Sequence, residues 1–134
     1  MDKQAFEALR LRMMMLTPVF TNDILELMKH DPELTQRYGA GLFEVANQGA
    51  VTFRDVLLGA VQFQHPGLLT SEMRWLDKLL EARQVNSKAI PNFISVFHAR
   101  VERDLPYEQA APVLTTLSDA MRRFQKKDNY AKSK

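Results

Sequence analysis

Apolar residues recur at helical spacing along nearly the whole chain. Phe6, Leu9, Met13 and Leu16 fall three and four apart, which lines them on one face of a helix. Thr17-Pro18 then reads as a cap residue followed by proline at a first helical position, so a second helix is expected to start there. Its apolar face is Phe20, Ile24, Leu27 and Met28. Asp31-Pro32 repeats the cap signal before a short helical turn. Tyr38-Gly39 stops that turn, because glycine tolerates the left-handed conformation at a helix end. After His65-Pro66-Gly67 a fourth helix carries the stripe Leu69, Met73, Leu76 and Leu80, with Leu68, Trp75 and Leu79 beside it. Asn86-Ser87 is expected to cap a fifth helix, with Pro91 in its first turn and a stripe of Ile90, Phe93 or Ile94, Phe97, Val101 and Leu105. Leu105-Pro106 ends it, and a sixth helix follows with Ala110, Val113, Leu114, Leu117, Met121 and Phe124. No run alternates with period two between turn signals. The fold class is therefore all-α: a single-domain bundle of five to six antiparallel helices over residues 1–124, with a basic, disordered tail expected at 125–134.

The segment 40–64 differs from the rest. Between Tyr38 and Ser71 the only charged side chains are Glu44, Arg54 and Asp55. A helix that is apolar all round must be surrounded by protein or lipid. Lipid is ruled out by Asn47, Gln48, Arg54 and Asp55 in its middle, where polarity is costly. The segment is read as the central helix of the bundle. Val51, Leu57 and Leu58 are the candidate contact residues for self-association or for a protein partner. Met13, Met14 and Met15 cannot all face inward, so at least one is expected at the surface or at a contact.

Composition narrows the chemistry. The chain has 134 residues, 46% apolar and 25% charged, which suits one soluble domain. With no cysteine, disulfides, thiolate metal sites and cysteine catalysis are excluded. No basic stretch followed by an apolar run opens the chain, so no signal peptide is visible and the expected location is cytoplasmic. The formal charge of +2 divides unevenly: residues 1–121 carry 12 Lys/Arg against 15 Asp/Glu, while 122–134 carry six cations against Asp128. Arg122, Arg123, Lys126 and Lys127 lead that basic tail, which suits phosphate, anionic lipid or simply solvent. The body has no basic stripe for a recognition helix, so no nucleic-acid partner is expected.

Catalytic signatures are missing. Neither a Gly-x-Ser-x-Gly turn nor a phosphate-cradling glycine loop occurs, so no catalytic residue is nominated. Glu26/His30 and His98/Glu102 are four apart, not the Glu-x-x-His spacing of di-iron bundles, and no metal is expected. His65 stands at the end of the weakly charged helix. It could ligate a haem iron at a cavity mouth, or interact with the helix dipole. Phe43, Phe53, Phe63, Trp75, Phe93 and Phe97 all fall on expected buried faces, which suits an apolar cofactor pocket or an ordinary core.

The stretch His65-Pro66-Gly67-Leu68-Leu69-Thr70-Ser71-Glu72-Met73-Arg74-Trp75-Leu76, followed by Leu80-Glu81-Ala82-Arg83-Gln84-Val85, resembles the small helical-bundle domains that accompany bacterial cobalamin-binding, tetrapyrrole-sensing regulators. Tyr38-Gly39 and Ala111-Pro112-Val113-Leu114 extend the resemblance over about residues 38–117. Such domains carry an acidic residue and a histidine along the third helix and an aromatic just before the tryptophan, where this chain has Gly49, Phe53 and Glu72, so the resemblance implies a bundle that was kept and a cofactor that was lost. Two readings result. The first is a non-enzymatic interaction or regulatory module acting through protein association, with no cofactor. The alternative is a sensory bundle holding haem or another tetrapyrrole near Phe53, His65 and Trp75.

Overall fold

Helix α1 runs unbroken from Lys3 to Lys29, and its first turn is capped by Asp2, whose carboxylate accepts from the Ala5 N–H at 2.7 Å. The computed structural model describes residues 1–85 and 88–133, with side chains as far as Lys126. The sequence expectation of two helices meeting at Thr17-Pro18 is thereby corrected. Thr17 is no cap: its hydroxyl donates to the Met13 carbonyl at 3.0 Å and accepts from Arg54 Nη1 at 2.9 Å. Pro18 lies on the exposed face, where water can serve the carbonyl that loses its helical N–H. Leu9, Met13, Phe20 and Ile24 are buried on both sides of it, so one continuous apolar face outweighs the local break signal.

The other elements follow their local cues more closely. Asp31 caps α2 (Pro32–Tyr38) by accepting from the N–H groups of Glu33 and Leu34 at 3.0 and 3.3 Å. Gly39 ends it at φ +50°, a conformation that a side chain would strain. A 3₁₀ turn, Gly39–Gly41, leads into α3 (Leu42–Gln62). Then come α4 (Pro66–Ala82), α5 (Ala89–Asp104) and α6 (Tyr107–Ser133), and the described residues contain no strand. The expected Asn86-Ser87 cap lies outside the described residues. The backbone of the expected tail is helical as far as Ser133, and the side chains from Lys127 onward lie outside the described residues.

Short connections make a bundle. Thr21 donates to Asn47 at 3.2 Å and Arg54 to Thr17 at 2.9 Å, so residue numbers fall along α3 as they rise along α1 and the two helices are antiparallel. α3 also touches α2, α4 and α6. Thr70 of α4 donates to the Ala120 carbonyl of α6 at 3.2 Å. Arg100 of α5 grips Asp23 of α1 with two nitrogens, at 2.8 and 2.9 Å, and Asp104 with a third at 3.0 Å. Those hydrogen bonds, to Asp23 first and Asp104 second, raise the Arg100 pKa above its ordinary value. At the centre, Phe97 stacks on Phe20 with ring centroids 4.4 Å apart and meets Phe53 at 4.5 Å, an arrangement that stabilises beyond simple burial.

α3 is central, but it is not sheathed on every side. Glu44, Asn47, Gln48, Thr52, Asp55 and Gln62 are exposed, which makes α3 an ordinary amphipathic helix. The sequence expectation of all-round burial treated uncharged residues as apolar ones. Leu57 and Leu58 are 0% and 6% exposed, so neither can meet a partner on the folded chain, and Val51 is only half-buried. Three aromatics expected inside are outside: Phe43, Phe63 and Trp75. The methionine run divides as expected, with Met13 buried and Met14 and Met15 exposed. No helix among the described residues is long and apolar enough to cross a membrane.

Candidate functional site

α4 and α5 touch only sparingly, and the space between them opens into a cavity of about 540 Å³ walled by α1, α2, α3, α4 and α5. Two other hollows, at the α1–α2 corner and between α5 and α6, are smaller, about 340 and 350 Å³. A volume of this size falls in the range of roughly 300–1,000 Å³ typical of small-molecule sites.

Each wall follows from helical spacing. α3 contributes Val45, Gln48, Gly49, Thr52 and Phe53, three and four residues apart on one face. Gly49 and Thr52 keep this wall thin: nothing lies within 4 Å of where a Gly49 Cβ would stand. α4 contributes Glu72, Leu76, Leu79 and, just past its end, Arg83, a second stripe at intervals of three and four. Met73, Leu80, Ile94 and Phe97 form the buried floor together with Phe53. Trp75 lines the cavity and yet is 58% exposed, so it stands at the mouth. A large aromatic left in water at the rim of an apolar cavity is characteristic of a binding surface.

Polar groups are few and confined to the edges. Arg83 Nη1 donates to the Tyr38 hydroxyl at 3.0 Å, with the guanidinium carbon 6.0 Å from the Tyr38 ring centroid. Arg83 forms no ion pair with a carboxylate among the described residues, and Glu72 forms none with a cation. Among the described residues, no group of three or more His, Asp or Glu side chains is placed to hold a metal ion. Glu26 instead bonds Lys29 at 3.3 Å.

The structure brings two of the three expected cofactor residues together. Phe53 and Trp75 line the cavity; His65 does not. His65 is exposed at the start of α4, its ring beside Gly67, ten residues from Trp75 and so about 15 Å away along the helix. No histidine lines this cavity, so the residues present do not fit an axially histidine-ligated haem. In the basic segment, Arg122 pairs with Asp119, the Arg123 carbonyl accepts from Arg74 at 3.1 Å, Lys126 is exposed, and the Lys127 side chain lies outside the described residues. Sequence reasoning missed Tyr38, Gln48, Thr52 and Arg83 as site residues. The spacing of Glu72, Leu76, Leu79 and Arg83 was the available signal for the α4 part of the wall.

No protein-family model, curated protein or solved structure matches this chain.

Proposed function

We propose that the protein is a non-enzymatic binding module that takes up an apolar small molecule between α3, α4 and α5. It acts as a sensor or carrier in the cytoplasm. The observation that carries this reading is the cavity of about 540 Å³, with an aromatic floor, a few polar groups at its edge and Trp75 at its mouth. Bundles hold their ligands between facing helices in this manner.

Trp75 is the only tryptophan in the chain, so its emission reports directly on occupancy. The neutral fluorophore N-phenylnaphthylamine should bind saturably at one site per chain, brightening as it leaves water and quenching Trp75 by energy transfer. A linear, unsaturable response with Trp75 emission unchanged would defeat the proposal.

A second reading has its own support. Leu11, Met14 and Met15 are exposed on one face of α1, Met15 at 75%, and exposed methionine is common on adaptable protein-binding surfaces. In this reading the module also associates through α1, in place of the Val51, Leu57 and Leu58 face. Sedimentation equilibrium should then give a mass above that of one chain, reduced to one chain by Met15→Lys. A wild-type monomer at high concentration, with no protein co-purifying, would count against it.

A further inference from the structure

The two charged ends of the cavity give it a direction. Glu72 and Arg83 lie on the same face of α4, eleven residues apart, and so are separated by about 16 Å along the axis. Between them the wall is Leu76, Leu79 and Leu80, facing Phe53 and Phe97. Neither charge has an opposite partner among the described residues. Arg83 has five N–H donors, and Tyr38 takes only one of them among the described residues. The negative end of the α4 dipole lies beside Arg83. The positive end of α5, which enters the same wall at Ile90, opposes it. An anion is therefore favoured at the Arg83 end and repelled at the Glu72 end.

We infer that the ligand is an elongated anionic amphiphile, its carboxylate-like head on Arg83 and Tyr38 and its apolar tail running along α4 over Phe53 and Phe97 toward Glu72. The inference rests on the proposed binding role and adds the class and orientation of the ligand. Arg83 is a head-group residue here because a planar guanidinium matches a carboxylate with two parallel hydrogen bonds.

The experiment displaces N-phenylnaphthylamine with three probes that share one tail: dodecanoate, dodecanol and dodecylamine, each below its micellar concentration. Dodecanoate should bind about tenfold tighter than dodecanol, the gain expected of one charge-assisted contact, and dodecylamine should bind weakest. Arg83→Gln should bring dodecanoate down to dodecanol, while Arg83→Lys keeps part of the preference. Arg83 is exposed, so both variants should melt like the parent. Equal binding of dodecanoate and dodecanol, or a preference that survives Arg83→Gln, overturns the head-group assignment and leaves the cavity reading intact. So does failure of all three to displace a fluorophore that itself binds. If the fluorophore does not bind either, the proposed function falls together with this inference.

Discussion

Leu57→Glu should unfold the protein. Leu57 is fully buried in the core, on the side of α3 that faces its neighbours. The substitution removes a packed side chain and places a carboxyl group where no water reaches it. Loss of the leucine contacts and burial of the new group should together cost at least about 4 kcal/mol, against a total stability of roughly 5–15 kcal/mol for a typical domain. Circular dichroism should show loss of the cooperative thermal transition at neutral pH, whereas Leu57→Met should melt within a few degrees of the parent. The penalty should shrink as pH falls into the carboxyl range, since burial favours the protonated acid. A folded Leu57→Glu protein that differs only in molecular mass would instead put Leu57 at an interface, and the packing described for α3 would be wrong.

Gly49→Leu should separate stability from binding. Gly49 lies in the middle of α3, exposed toward the cavity, with open space where a side chain would stand. A helix-interior glycine costs about 1 kcal/mol relative to a good helix former, so leucine at this position should raise the melting temperature by a few degrees. The same side chain would occupy part of the cavity that Gly49 lines, and affinity for N-phenylnaphthylamine should fall at least about tenfold. Lower stability would show that the space beside Gly49 is not open to a side chain. Undiminished affinity would show that the fluorophore binds elsewhere. Few substitutions move the two quantities in opposite directions, which makes this one a strong test of the site.

The candidate site is partly legible in the sequence. Aromatic residues at helical spacing suit a pocket, which points to Phe53 and Trp75, and the two share one cavity. His65 draws notice in the sequence because it precedes a Pro-Gly turn. That position puts it, exposed, at the start of α4, outside the residues that line the cavity. Tyr38 and Arg83 are 45 residues apart in sequence and meet through one 3.0 Å hydrogen bond, a pairing that no local pattern contains. Gly49 carries no side chain for a pattern to register; it matters through the volume it leaves empty.

The sequence alone determined the helical class, most of the helix boundaries and the greater part of the core, including Leu9, Met13, Ile24, Met73, Phe97 and Leu117. Those features depend on periodicity, on the Asp31-Pro32 cap and on the Gly39 stop, all of which act within a few residues. Tertiary packing alone decided that α1 continues through Pro18, since a continuous apolar face on a neighbouring helix outweighs one missing hydrogen bond. It also decided which flank of α3 meets water. Uncharged polar residues fit either environment, so only the positions of α1, α4 and α6 around that helix assign them. The cavity belongs to the same category, because an unfilled volume depends on how far apart α4 and α5 settle.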